Sequence, residues 1–452
     1  MKLNCTWTLH IENFAEIKSA DIQLAPLLCF VGDNNSGKSY IMSLLWGILT
    51  LGKELFPNKS PESKNYKECE KWLNSVLGKS ADITDDIAEM YLKWFNDVLA
   101  SKKQELLKMI FNFDVKAEKI SICNLKRNKN VKLTWEPLGS RYSARGNHIQ
   151  FPVLEEYTRA DILRMNSYIC WNLLMDGLTA PLLTPRRGRR RFGEPVYLPA
   201  SRTGFMLTYS QLLSNSLQTS FSVYSDESEG GLTQPYIDFL QLITLLDSKK
   251  TVKNQKINRI TSFIEQNMTR GAFSIQKDFV PVIKYIPEGS QTELPLYVTS
   301  SVVSEISPIL LILKSDIKFN TIIIEEPEAH LHPALQKKMA QVVIQLMNSG
   351  VPVWITTHSD TILQHINNML KLNALPDKQD LMEKYHYTES DLLQSDHVCM
   401  YQFNSENHNT TITPLEKTQY GFVVPTFNNA LQALVDEVYA FQEEETDTEE
   451  ME

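Results

Sequence analysis

With 452 residues, 42% apolar and 22% charged, the chain has enough material for two or three domains with sizeable cores, which excludes a disordered or fibrous protein. The formal charge of −9 is uneven: the last ten residues carry seven acidic groups and no basic one, so the body is close to neutral and argues neither for nor against nucleic acid. No apolar run approaches the ~20 residues of a membrane span, so no membrane partner is expected.

The first residues contain no signal-peptide core, which makes a cytoplasmic location the expectation. Six scattered cysteines without a C-x-x-C pair read as thiols in a reducing compartment rather than zinc ligands. In chain order, residues 3–10, 14–24 and 27–31 look like short strands, with turn signals at Glu12-Asn13 and Pro26. The third runs into Gly32-Asp33-Asn34-Asn35-Ser36-Gly37-Lys38-Ser39, which fits G-x-x-x-x-G-K-[ST] at every position. After it, Ile41, Leu44, Leu45, Ile48 and Leu49 have helical spacing.

Strand, glycine loop and helix N-terminus in succession make a phosphate cradle. Backbone N–H groups from Gly32 through Gly37, including Asn34, Asn35 and Ser36, can face phosphate oxygens, and the helix dipole adds partial positive charge. Lys38 is expected at the β- and γ-phosphates, Ser39 as a Mg²⁺ ligand, and Tyr40 at the same nucleotide site.

The polar stretch from Pro57 to Asn65 reads as a boundary. Residues 65–112 are strongly helical, with Gly78 ending one helix and Thr84 capping the next before Asp85 and Asp86. The stripe of Tyr91, Trp94 and Phe95 is read as packing within a helical insertion or arm, not as a ligand box. Lys119 to Leu125, Lys132 to Trp135 and Ile149 to Val153 are candidate strands, followed by a helix from about Arg159 to Asp176.

Arg186, Arg187, Arg189, Arg190 and Arg191 place five arginines in six positions, which suits either phosphate backbones or a solvated loop masked by the acidic tail. Val196 to Leu198 looks like a strand stopped by Pro199, and it delivers Arg202 to a strand end, a candidate nucleotide contact. Residues 205–270 read as helical with a break at Ser225 to Gly231, and Gly271 to Val298 as hairpin strands around Pro287-Glu288-Gly289.

Thr321-Ile322-Ile323-Ile324-Glu325-Glu326-Pro327 is a buried strand ending in two carboxylates. The first can hold a nucleotide's Mg²⁺, and the second can act as base toward the attacking water. A further strand, Val351 to Thr357, ends at His358, a candidate γ-phosphate contact.

Phosphate loop, Glu-Glu strand and strand-end His in this order resemble an ABC-type ATPase head. More closely they resemble the RecF/OLD-like AAA ATPases of bacteria, which share the GDNNSGKS loop, the Glu325 to Pro333 sequence EEPEAHLHP and the switch Thr357-His358-Ser359. The resemblance implies an α/β head with a mixed sheet flanked by helices, ATP sandwiched between two heads, and a signature segment supplied in trans. The matching stretch runs from Tyr297 to Glu305, with Ser301 as the signature serine. Four positions depart from the pattern: Glu325 replaces the common Asp, Val302-Val303 replace the signature glycines, and His332 stands where a D-loop Asp is usual.

The implied division is 1–56 and 196–370 for the two parts of the head, 57–195 for a helical and β insertion, 371–441 for a C-terminal α/β extension and 442–452 for a disordered acidic tail. OLD-type proteins add a Toprim nuclease. Here Asp377-Lys378-Gln379-Asp380 is loop-like and no D-x-D pair or H-N-H constellation follows, so no nuclease site is expected in this chain.

That pattern resembles the ATPase subunits of two-gene anti-phage systems, the Septu ATPase with an HNH-type partner first and the PARIS ATPase with a Toprim-type partner second, to which Tyr420 to Phe427 also looks similar. The expected function is ATP hydrolysis by head-to-head dimers, with possible higher oligomers, that regulate a separate nuclease. Glu326 and His358 are catalytic, Ser39 and Glu325 hold Mg²⁺, and ATP meets Lys38, Arg202 and the partner copy's Ser301. The alternatives are a RecF-like repair ATPase binding DNA through Arg186–Arg191, and a nucleotide-gated scaffold with little hydrolysis.

Overall fold

The structure, a computed structural model, describes residues 2–137, 140–182, 193–220, 231–246, 254–276, 281–406, 409–418, 421–424, 435–439 and 441. The arginine cluster, the acidic tail and part of the Tyr420 to Phe427 stretch lie outside the described residues.

One nine-stranded mixed sheet organises the chain. Its strands in chain order are β1 (Cys5–Phe14), β2 (Ile17–Gln23), β3 (Leu27–Gly32), β4 (Lys119–Arg127), β5 (Val196–Leu198), β6 (Ile322–Glu325), β7 (Val353–Thr357), β8 (Val398–Glu406) and β9 (Asn409–Pro414). They lie side by side as β4-β1-β2-β9-β8-β3-β7-β6-β5. The five from β8 to β5 are parallel, with register pairs such as Val31 opposite Thr357 and Glu325 opposite Thr356. β1, β2 and β4 pair antiparallel at the far edge.

The parallel strands read as continuous apolar runs because both faces are covered. Every residue of β3, β6 and β7 is buried. Period-two alternation then splits the core. Leu28, Phe30, Ile323 and Trp354 enter one cluster, and Leu27, Cys29, Val31, Ile322, Ile324 and Ile355 enter the other.

Against the first face pack α1 (Lys38–Leu51), α2 (Lys64–Ser75), α3 (Asp85–Phe111) and α4 (Arg159–Leu174). Thr84 caps α3, its hydroxyl accepting from the Ile87 N–H at 3.4 Å. Tyr91, Trp94 and Phe95 are buried, and Phe56 and Trp171 stack around them. The aromatic stripe is therefore core, and α3 lies on the sheet rather than projecting as an arm.

The second face carries α5 (Arg202–Ser220), α6 (Gln234–Thr244), α7 (Gln255–Ile264), α8 (Ser301–Lys314), α9 (Pro333–Ser349) and α10 (Asp360–Ala374). Small sheets flank the body: Gly271–Gln276, Val282–Pro287 and Leu294–Pro295 form antiparallel pairs, and Ala81–Ile83 adds a short strand that propensity did not announce. Asp380 falls in a short helix, Gln379–Tyr385, rather than a loop. The boundary expected at 370/371 passes through the main sheet, because β8 and β9 lie between β2 and β3. The insertion likewise supplies β4, the sheet's edge. Among the described residues no helix is long and apolar enough to cross a membrane.

Candidate functional site

Parallel strands present their carboxyl ends on one edge, and β3, β6 and β7 deliver the phosphate loop, Glu325-Glu326 and His358 to that edge. A cleft of about 780 Å³ opens there, lined by the loop from Asn34 to Tyr40, by Glu326, Thr356 and His358, and by Ala15, Glu16 and Ile17 of the β1–β2 turn.

The loop's shape depends on its glycines. Gly32 has φ +132°, and a Cβ there would lie 2.1 Å from the Phe403 carbonyl oxygen on β8. Gly37 caps α1 in the left-handed region at φ +88°, and no side chain caps the helix. No acidic residue occupies the first turn of α1, so its N–H groups and dipole are left for an anion.

Lys38 folds back over the loop, its ammonium donating to the Gly32 carbonyl at 3.1 Å, the Asp33 carbonyl at 2.5 Å and the Ser36 hydroxyl at 3.1 Å. Burial pushes its pKa down to about 8, against the pull of Glu326, Asp33, Glu328 and Glu325. Tyr40 is 42% exposed and stacks on Phe111 at 5.2 Å, presenting a flat aromatic wall to the cleft.

The two strand-end carboxylates have different settings. Glu325 is buried; one oxygen accepts from the Ala200 N–H at 3.2 Å and the Tyr236 hydroxyl at 3.0 Å, and the other has no hydrogen-bond partner among the described residues. Glu326 is half-exposed and faces the cleft. Its backbone is left-handed at φ +42°, a conformation that costs an L-residue about 1–2 kcal/mol. Thr356 steadies it, accepting the Glu326 N–H on its carbonyl at 3.0 Å and its hydroxyl at 3.1 Å.

The Glu326 carboxylate lies 3.7 Å from His358 Nε2, beyond a direct hydrogen bond. Burial, and then Lys38 nearby, lower the His358 pKa, so the imidazole is neutral at pH 7 and has one N–H to donate.

Glu328 holds the backbone at His358. One of its carboxylate oxygens accepts from the Thr357 hydroxyl at 2.8 Å and the His358 N–H at 2.6 Å. Sequence reasoning passed over this residue, although EEPE places a third carboxylate two residues beyond Glu326. Ala15 to Ile17 and Thr356 were also missed, since a turn and a strand interior carry no chemical signature.

Arg202 is placed differently from expectation. Its guanidinium is fully buried beneath the Glu325-Glu326 turn and does not line the cleft. It donates to the carbonyls of Pro199 at 3.1 Å, Glu325 at 2.6 Å and Glu326 at 2.9 Å, and it pairs with the buried Glu305. In this geometry Arg202 supports the turn and does not reach the cleft expected for the phosphates. Ser301 opens α8, exposed and outside the cleft; Ser300 caps that helix, and Tyr297 and Val298 beside it are exposed. His332 caps α9.

A metal can be tested against this donor set. Among the described residues no cluster of three His, Cys, Asp or Glu side chains could hold an ion unaided. Mg²⁺ commonly takes one or two protein groups and fills its octahedron with phosphates and water. The Ser39 hydroxyl lines the cleft and fits that partial role; the unpartnered Glu325 oxygen fits it by its chemistry but is buried behind the cleft's lining.

The parallel sheet, glycine loop and convergent carboxylates define a P-loop nucleotide-binding α/β head. The profile of AAA_15, the AAA ATPase domain, matches residues 1–363, and the chain belongs to that family. No curated protein matches significantly. Among solved structures the chain is similar to an SMC head bound to the C-winged helix domain of ScpA, at 10% identity and TM-score 0.37 over 90% of this chain and 97% of that one. The SMC head domain from Thermotoga maritima matches at 11% identity and TM-score 0.31, over 92% and 100%. An SMC head with an extended coiled coil, bound to the ScpA C-terminal domain derived from Pyrococcus furiosus, matches at 10% and 0.36, over 96% and 99%.

Proposed function

We propose that this chain is a Mg²⁺-dependent ATPase that fires as a dimer of heads and regulates a separate nuclease in bacterial anti-phage defence. The observation that carries the reading is the meeting of phosphate loop, Glu326 and His358 around one cleft. Lys38 and the α1 N-terminus hold the β- and γ-phosphates. Mg²⁺, when bound through Ser39 and Glu325, neutralises phosphate charge. Glu326 accepts the proton of the water that attacks the γ-phosphorus, and the neutral His358 donates a hydrogen bond to a γ-phosphate oxygen.

The second head is inferred from the exposed Ser301 at the start of α8, placed away from its own chain's cleft. The nuclease partner, HNH-type first and Toprim-type second, is inferred from the motif resemblance alone. Regulated turnover is the point at which a nucleotide-gated scaffold competes, because Val302-Val303 stand where glycines would let the signature backbone approach phosphate.

Glu326→Gln keeps shape and removes the base. The variant should bind ATP, lose about 10²–10⁴-fold in turnover and accumulate as an ATP-dependent dimer by light scattering. Turnover equal to wild type would remove Glu326 from the mechanism. A wild-type chain with no turnover at all would select the scaffold reading, and co-purification with the neighbouring gene's product tests the nuclease.

A further inference from the structure

Arg202 and Glu305 are two charged side chains with no exposure, and they hold each other between elements that are distant in sequence. On one side the Arg202 fork grips the carbonyls of Glu325 and Glu326, the peptides flanking the left-handed Glu326 backbone. On the other side Glu305 belongs to α8, one turn beyond Ser301, and Thr203 adds a hydroxyl hydrogen bond to the same carboxylate.

The backbone ladder of α8 lacks one bond beside Glu305. Pro308 has no N–H for the Ser304 carbonyl, which the Ser307 hydroxyl takes instead at 2.9 Å. The missing ladder bond would join position 308 to Ser304, so the gap spans Glu305. The exposed start of α8 at Ser301, with Tyr297 and Val298 of the preceding turn, lies N-terminal to this gap.

We propose that the Arg202–Glu305 pair is a tie coupling α8 to the catalytic turn, so that a load on the exposed N-terminus of α8 is delivered to the backbone of Glu326. Arg202 and Glu305 are then positioning residues. The tie rests on the two-head reading for the source of the load, a second copy engaging α8, and by reciprocity the state of the turn biases that engagement equally. A guanidinium suits this task because its planar donors serve three carbonyls while its charge pairs with a carboxylate, which a lysine ammonium cannot do with the same geometry.

The test uses the full chain with ATP as ligand, and Glu305→Gln, Arg202→Lys and Thr203→Val as variants. For each, kcat and KM are measured over a range of protein concentration, and ATP-dependent dimerisation is followed by light scattering. The tie predicts KM within about twofold of wild type, retained dimerisation and kcat reduced about tenfold or more in Glu305→Gln and Arg202→Lys. Thr203→Val, the mildest change, should lower kcat alone and decides the matter if the other two fail to fold.

Unchanged kcat in the folded variants overturns the tie, as does a parallel loss of KM, kcat and melting temperature, which marks a merely structural pair. If wild-type protein never dimerises with ATP, the two-head reading fails by itself. The kcat–KM split still judges whether Arg202 and Glu305 position Glu326.

Discussion

Gly32→Ala puts a methyl group into the closest approach of the phosphate loop to the sheet. The new Cβ would lie 2.1 Å from the Phe403 carbonyl oxygen and 3.0 Å from that residue's backbone nitrogen and carbon, where ordinary contact begins at 3.4 Å. Relief requires β3 and β8 to part by more than about 1 Å, or φ to leave +132°, a region that L-residues rarely occupy. Backbone strain of about 1–3 kcal/mol and overpacking of similar size together put the loss near 3–5 kcal/mol. Either relaxation also moves the Gly32 carbonyl that anchors Lys38, so ATP affinity should fall at least about tenfold. Thermal melting and titration with a fluorescent ATP analogue read the two effects. Gly204→Ala is the control: it lies within α5 with open space around it and should stabilise by about 0.5–1 kcal/mol. Wild-type melting and affinity in Gly32→Ala would refute the close approach of β8 to the loop.

Lys38→Ala should abolish ATP binding, and retained binding would place the phosphates elsewhere. With Lys38 near pKa 8 and its unfolded value at 10.5, the folded chain holds fewer protons across that window, so this residue's contribution to stability rises with pH there. Bound phosphates favour the charged ammonium, so ATP affinity should weaken above about pH 8 and binding should take up a proton; calorimetry in buffers of different ionisation heat that finds no uptake at pH 8.5 sinks this. Glu328→Ala leaves the Thr357 hydroxyl and the His358 N–H without their acceptor; it should cost about 1–3 kcal/mol of stability and lower kcat more than it changes KM, and kinetics indistinguishable from wild type would show that His358 needs no anchor.

The parts legible in the sequence were those whose chemistry is local. The phosphate loop announces itself because strand, glycines and helix follow within a few residues, and Glu325-Glu326 because an apolar run ends in two charges. Arg202 could be singled out from its place at a strand end, but not its direction. That is decided by Glu305 and by the Glu325 and Glu326 carbonyls, the latter 123 and 124 residues away. Tyr236, which steadies Glu325 from 89 residues upstream, gave no signal for the same reason. Strand order was hidden too: nothing in 398–406 says that it pairs with β3, because a buried strand's pattern records that both faces are covered and not by what.

That pairing imposes an order in time. β3 is made early, yet its two neighbours in the sheet, β7 and β8, follow it by more than 300 residues. At about 5–20 residues per second, both its edges stay bare for tens of seconds during synthesis. A half-made chain thus carries the phosphate-loop sequence without the strands that frame it, and without the Phe403 backbone that lies against Gly32. A chain stopped before β8 lacks one of the two strands that frame the loop.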